Sequence, residues 1–362
     1  MCIWLGRNRG PKRILVIKFR YIGDTLLITP LIRALKEGIP NAHIDVLVNK
    51  NTHQVLINNP YLEKIWVFDY QIAKKRFSYN LKLIVNLIRQ HYNIVIDLTN
   101  NDRSSFFTFL TGARLRIGYW SKKKVRKNLF YNKIIPSVLG TIHTVDHHLK
   151  VAQELGLSIR DHHPFIPILP AEISNIDQKL YDSGLKEGEP FVIIHPGVRR
   201  WYKSWPLDRF AKLADNIIRK YNINIILAGN EDDKANVSKI IANMKQKAIN
   251  LTGQVSLLEL PPLIKKALCL IGNDSAPVHI ATAVETPAIA LFGPTDWRCW
   301  YPRREHDRVF AAEFPCRPCG HGKPDCPLGD GYCMSHISFE EVWLGLQETI
   351  SARLDMASKK AL

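Results

Sequence analysis

The chain has 362 residues, too many for one ordinary domain and about right for two. Hydrophobic residues make up 46% and charged residues 23%, a globular balance, and no apolar run approaches the roughly 18–20 residues that a membrane-spanning helix needs. The formal net charge is +17, and residues 1–160 carry all of it: they hold 26 Lys and Arg against 9 Asp and Glu, whereas residues 161–362 hold 24 of each.

A field of one sign attracts an anionic partner, which can be nucleic acid, anionic lipid or a phosphorylated glycolipid. A merely solvated basic surface would not favour one half so strongly. At the amino end, apolar Met1 to Leu5 precede Arg7, Arg9, Lys12 and Arg13. That is the reverse of a secretory signal, so the sequence reads as cytoplasmic.

Along the chain, short β-branched runs alternate with helical patterns, the signature of βα units and parallel sheets. In the first half the expected strands are 14–19, 44–48, 65–68 and 94–98, with helices over 25–36, 80–90 and 104–110. In the second half they are 191–195, 223–228, 269–271 and 288–292, with helices over 207–220, 232–245 and 277–284. The segment from His162 to Pro170 holds three prolines and no periodicity, and is the expected linker. The chain is thus expected to form two domains, 1–165 and 166–362, each an open, doubly wound α/β sheet, facing each other across a cleft. Ligands of such sheets bind at the carboxyl ends of the strands, so residues that directly follow strands are the candidates.

The first candidate is Asp24, after Gly23 and the first strand, where a helix starts. It fits a helix N-cap, which stabilises by about 0.5–2 kcal/mol; it also fits a general base facing the hydroxyl of a ligand. Further on, cations and aromatic residues mix over Arg114–Lys127, including Arg116, Lys122 and Lys123. His195-Pro196-Gly197 opens a loop whose backbone can approach a ligand. In Arg199-Arg200-Trp201-Tyr202-Lys203 three cations gather at one strand end, with Lys203 placed to meet a diphosphate. Gly229-Asn230-Glu231-Asp232 reads as a capping turn or as a ribose-binding acid after a strand. The run Gly272-Asn273-Asp274-Ser275-Ala276-Pro277-Val278-His279 carries the most specific signal. A strand enters a small-residue turn and leaves it as a helix with an early proline, so free N–H groups and the helix dipole make an anion site. His279 follows Ser275 by one turn. Leu291-Phe292-Gly293-Pro294-Thr295-Asp296 is a last strand-to-loop turn that can border a nucleotide.

Five such motifs in this order resemble family 9 glycosyltransferases, the lipopolysaccharide heptosyltransferases, from about Lys12 to the final helix, and are most like the heptosyltransferase III branch. The resemblance implies a GT-B fold, with the acceptor on the first domain and the nucleotide sugar on the second. It matches Asp24 to the family's catalytic base, Lys203 to the lysine at the donor phosphates and Glu231 to the ribose-binding acid. It matches Asp274, Ser275, Ala276 and His279 to the donor motif, with His195, Gly197, Gly293 and Pro294 around them. Relatives often have Thr-Gly where this chain has Ser275-Ala276. The implied reaction is inverting transfer of heptose from ADP-heptose to the lipopolysaccharide inner core. It needs no catalytic metal or other cofactor, and no Asp-x-Asp pair follows a strand here. Arg20, Arg114, Arg116, Lys122 and Lys123 are then acceptor-side cations, and the basic half implies peripheral attachment to the anionic inner-membrane surface, with no nucleic acid as partner.

Four of the seven cysteines cluster as Cys316, Cys319, Cys326 and Cys333. In a cytosolic protein this spacing favours a metal, most simply a structural zinc, over disulfides; paired or reduced thiols are the alternative. Three other functions compete: a nucleotide-sugar epimerase of the same fold, a nucleic-acid-binding protein, and a heptosyltransferase that modifies protein.

Overall fold

The structure is a computed structural model that describes residues 11–120, 128–319, 326, 328 and 332–361. The chain divides into two compact units, Met1–Pro167 and Ile168–Leu362. The division falls inside the proline-rich segment, two residues beyond the expected one. Phe165 on its near side is already fixed to the first unit, its N–H donating to the Thr29 hydroxyl at 2.9 Å.

The first unit runs β1 (Arg13–Lys18), α1 (Ile22–Leu26), α2 (Thr29–Gly38), β2 (His43–Asn49), β3 (Lys64–Phe68), α3 (Tyr70–Lys75), α4 (Phe77–Ile88), β4 (Ile94–Asp97), α5 (Asp102–Leu110), β5 (Leu115–Tyr119), β6 (Lys133–Ile135) and α6 (Thr144–Glu154). The second runs α7 (Pro170–Asp182), β7 (Phe191–His195), α8 (Leu207–Tyr221), β8 (Asn224–Leu227), α9 (Lys234–Asn243), β9 (Ile249–Asn250), α10 (Leu260–Lys266), β10 (Leu270–Asn273), α11 (Ala276–Ala283), β11 (Ala288–Leu291), β12 (Arg308–Phe310), α12 (Tyr332–Ser335) and α13 (Phe339–Ala361).

Each unit has one parallel six-stranded sheet. The orders are β3-β2-β1-β4-β5-β6 and β12-β11-β10-β7-β8-β9. Counted within its own unit, each sheet reads 3-2-1-4-5-6, the doubly wound dinucleotide-binding order. The central strands are apolar without alternation because helices cover both faces: Ile14 to Ile17 and Val192 to Ile194 are fully buried. The direction of winding reverses between β1 and β4 and between β7 and β10. Ile17 pairs with Asp97 in the first sheet and Gly272 with His195 in the second. The crevices therefore open beside Lys18–Arg20 and Leu98–Asn100 in one unit, and beside Pro196–Gly197 and Asp274–Ser275 in the other.

Among the places where the structure differs from the sequence periodicity, three stand out. The expected helix 25–36 is two helices: α2 restarts at Thr29 with Pro30 in its first turn, and Gly23 lies inside α1 instead of in a turn. The stretch from Arg114 begins with a strand, β5, where no strand was expected. Leu115, Ile117 and Tyr119 are buried there, and Gly118 lies so close to the Tyr131 ring that a Cβ would collide with it. Finally, α6 and α7 flank the linker where no helix was expected. Pro170 occupies the first turn of α7, where its missing N–H costs nothing.

Candidate active site

In the second unit, the loops after β7, β10 and β11 converge on Asp274. The Lys203 ammonium donates to Asp274 Oδ2 at 2.7 Å. Burial pushes the Asp274 carboxyl up, but the Lys203 charge and hydrogen bond, with help from the Thr295 hydroxyl and His279, outweigh it and hold the group below the usual carboxylate range. Arg199 also interacts electrostatically with this carboxylate. Asn273, fully buried at the end of β10, joins two loops: it accepts from the Trp205 N–H at 3.0 Å and donates to the Pro196 carbonyl at 2.7 Å. The Trp205 indole, fully buried, donates to the Ile337 carbonyl at 3.2 Å, so Lys203 is held by a rigid neighbour.

Ser275 is the N-cap residue of α11, extended at φ −153°, yet its hydroxyl makes no capping bond and is buried without a partner. A buried hydroxyl at a helix start, beside Lys203, is positioned for an anion that the chain itself does not supply. Ala276 begins that helix and His279 is buried one turn on. His195 is buried with Nδ1 unpartnered; burial lowers its pKa against the opposing pull of Asp233.

Asp233 organises the adjacent turn. Its carboxylate accepts from the Asn230 N–H at 2.9 Å, and a Cβ on Gly197 would collide with it. The capping reading of this turn therefore applies to Asn230, which accepts from the Asp232 N–H at 2.7 Å. Glu231 takes no part in the cap. Its side chain is exposed, pairs with Lys234 at 2.8 Å and overlies Gly253, whose φ of +76° only glycine adopts readily.

In the first unit, Tyr21 and not Asp24 is the N-cap residue of α1, and it makes no side-chain cap bond. Asp24 lies three residues in, its side chain 18% exposed, with Lys18 Nζ 3.9 Å from Oδ1. The capping role considered for Asp24 thus falls away. Lys18 is buried at the end of β1 and also donates to His148 Nε2 at 3.1 Å and to the Leu98 carbonyl at 3.4 Å. Burial pushes the Lys18 amine down to about 8, with Arg20 adding to the fall and Asp24 and Asp97 opposing it. His148 is driven well below its ordinary value by burial and by Lys18, so its ring is neutral and accepts the lysine proton at Nε2. Asp97 is fully buried, accepting from the Tyr131 hydroxyl at 2.7 Å and from the Thr99 N–H at 2.8 Å. None of Lys18, Asp97, His148, Asp233 or Asn273 was singled out from sequence. The readable signal was a charged or amide side chain ending a fully apolar strand at a reversal point.

Among the described residues, the acceptor-side cations Arg20, Arg114 and Arg116 are not brought together. Arg20 is exposed just past the end of β1, but Arg114 precedes β5, at the amino end of the sheet. The Arg116 guanidinium is committed to the Phe130 carbonyl at 2.9 Å and the Ala113 carbonyl at 2.8 Å. Lys122 and Lys123 lie outside the described residues.

The described ends of the cysteine-rich segment pack on the donor-side loops. The Cys319 N–H donates to the Pro294 carbonyl at 3.0 Å, Arg317 donates to the Thr295 carbonyl at 3.1 Å, and Gly293 is packed against Met334 with Cys333 beside it. Burial raises the Cys319 thiol, with Cys316 and Cys326 adding to it; burial also raises Cys333, with Cys319 and Cys326 adding and Arg317 opposing. The four thiols therefore share one electrostatic neighbourhood. Among the described residues, no three His, Cys, Asp or Glu side chains are grouped as a metal site.

Two doubly wound parallel sheets in one chain, the second ending in a cationic turn with a buried hydroxyl, are the architecture of GT-B glycosyltransferases. Residues 80–326 match the model of glycosyltransferase family 9 (heptosyltransferase), and the chain belongs to that family. It is similar to lipopolysaccharide heptosyltransferase 3 of Escherichia coli strain K12, with 33% identity over 322 residues, 83% of this chain and 89% of that protein. Among solved structures it resembles the family 9 glycosyltransferase of Veillonella parvula DSM 2008, with TM-score 0.85, 25% identity, and 94% of this chain and 98% of that one covered. It also resembles the E. coli ADP-heptose lipopolysaccharide heptosyltransferase II, with TM-score 0.74, 22% identity, and coverage of 94% and 99%. Of the functions weighed from sequence, the family supports the glycosyltransferase over the epimerase and the nucleic-acid-binding protein. No helix among the described residues is long and apolar enough to cross a membrane.

Proposed function

We propose that this heptosyltransferase moves heptose from ADP-heptose to an inner-core sugar of lipopolysaccharide with inversion at the anomeric carbon, using Asp24 as base and no catalytic metal. The observation that carries the donor assignment is the Lys203–Asp274 pair beside the unpartnered, buried Ser275 hydroxyl at the start of α11. As the acceptor oxygen bonds to the anomeric carbon, its proton passes to Asp24 and the bond from that carbon to the diphosphate breaks. The growing charge on ADP is met by Lys203, by Ser275 and by the N–H groups at Ala276. These donors are fixed before the reaction and cost no reorganisation during it. Glu231 is the ribose-binding acid; His195, Gly197, His279, Gly293 and Pro294 border the donor. Lys18 sets a positive charge 3.9 Å from the Asp24 carboxylate.

The acceptor is a phosphorylated glycolipid, and the enzyme works at the cytoplasmic face of the inner membrane. The surplus of 17 positive charges in residues 1–160 supports that placement. Its vesicle binding weakens as salt rises; binding independent of ionic strength would refute the electrostatic part. The spacing of Cys316, Cys319, Cys326 and Cys333 points to a structural zinc, which would have to draw together thiols that are not grouped as a metal site among the described residues. Zinc analysis of protein purified without chelator tests this.

The deciding experiment measures ADP release from ADP-heptose, with and without truncated inner-core lipopolysaccharide, for wild type and Asp24→Asn. Acceptor-dependent release that is lost in the variant supports transfer and base together. No release from folded protein with any core acceptor refutes the proposal. Release that is unchanged by EDTA supports chemistry without a metal.

A further inference from the structure

The first unit carries an apolar stripe that its own core does not use. Phe77 is 80% exposed at the start of α4, and Leu81, Ile88, Phe106 and Phe109 are 42% to 51% exposed. Phe77, Leu81 and Ile88 fall on one face of α4 at intervals of four and seven, with half-buried Val85 between the last two. Phe106 and Phe109 are one turn apart on α5, which packs beside α4, and the Phe130 ring lies 5.3 Å from that of Phe109. Arg103 links the stripe to α3, its guanidinium 4.6 Å from the Tyr70 ring.

Charge along α3 and α4 has one sign. Between Tyr70 and Ile96 there are five Lys and Arg and no Asp or Glu, and Lys74, Lys75 and Arg76 immediately precede Phe77. All three are exposed. An apolar stripe rimmed by cations is the composition of a helix that lies in a membrane interface. We propose that the exposed faces of α3, α4 and α5 dock on an anionic phospholipid bilayer, with Phe77 and Leu81 entering between the headgroups and Lys74, Lys75, Arg76 and Lys82 pairing with lipid phosphates. The proposed function, on which this inference rests for its setting, puts the lipid acceptor at such a surface. A second copy of the chain is a poorer occupant, because a twofold contact sets each patch against itself and would face these cations with one another. Nucleic acid would use the cations but has no use for Leu81 or Ile88.

The test is sedimentation of the full chain with vesicles of phosphatidylethanolamine and phosphatidylglycerol, or of phosphatidylcholine alone, with no ADP-heptose and no lipopolysaccharide present. Wild type sediments with the anionic vesicles. Phe77→Ser combined with Leu81→Ser lowers partitioning by about tenfold to a hundredfold, as expected for two large apolar groups kept from burial, while melting temperature and ADP binding stay unchanged. Lys74→Ser with Lys75→Ser lowers it further and flattens its salt dependence. Equal partitioning of the Phe77 and Leu81 variant overturns the proposal, as does absence of wild-type binding to anionic vesicles. A dimer in sedimentation velocity that the same variant disperses also overturns it, assigning the face to a second copy. Because the assay contains no donor or acceptor, failed heptosyl transfer and failed docking are read separately.

Discussion

Lys18 costs the fold stability, and replacing it with methionine makes the protein more stable and less active. Its amine is held near 8 against an ordinary 10.5, chiefly by burial. A depression of that size corresponds to about 3 kcal/mol of native-state cost at neutral pH. Methionine keeps an unbranched stem of similar reach without the charge. Leaving His148 Nε2 and the Leu98 carbonyl unpaired takes back about 1–2 kcal/mol, so a net gain of about 1–2 kcal/mol is expected at pH 7. The sign of the pH dependence follows from the direction of the shift. Below about 8 both states carry the proton and the native state bears the whole cost. From there to 10.5 the unfolded chain binds the larger share of protons, so wild-type stability rises with pH and the variant's advantage disappears. Urea unfolding of both proteins at pH 7 and pH 10 measures this, with acceptor-dependent ADP release recorded alongside. A variant that is less stable at pH 7 by the same margin as at pH 10 would refute the reasoning.

Three other substitutions probe the donor side. Lys203→Met removes the charge-assisted partner of Asp274 and weakens ADP binding by about tenfold to a hundredfold in calorimetry. It also leaves burial of Asp274 opposed by the Thr295 hydroxyl and His279 without Lys203. That carboxyl, depressed in the native state, contributes stability above its unfolded pKa and loses it as pH falls, so the variant unfolds at a higher pH in acid titration. Ser275→Ala deletes a hydroxyl that bonds to nothing in the chain, so the melting temperature holds while ADP affinity falls. Gly197→Ala drives a methyl group into the Asp233 carboxylate and costs about 1–3 kcal/mol in urea unfolding.

The central strands were legible because burial on both faces writes itself as unbroken apolar runs, as in Ile14–Ile17 and Val192–Ile194. The loops that follow them were legible for the same reason, since the end of such a run marks where ligands bind. What periodicity hid was the use of polar residues inside the fold. Arg116 resembles a surface cation in sequence, yet its planar head is consumed by two backbone carbonyls at the edge of a buried strand. Lys18 resembles a solvated strand end, yet its stem is sealed and its charge is shared with Asp24 and His148, the latter 130 residues away in sequence. Asn273 and Asp233 reveal their roles only through partners that the topology brings from other loops.

The closing contacts of the second unit also set an order of assembly. The carbonyl of Ile337 meets Trp205 and Arg209 across sequence separations of 132 and 128 residues, and α13 adds Val342, Leu346 and Ile350 to the same core. The first unit has its whole sheet once residues up to Pro167 have left the ribosome. The second must wait, with the Trp205 side of its core uncovered, until the final helix emerges. A premature stop before Phe339 would thus release a chain whose amino-terminal half is folded and whose other half stays open, adhesive and dependent on chaperones.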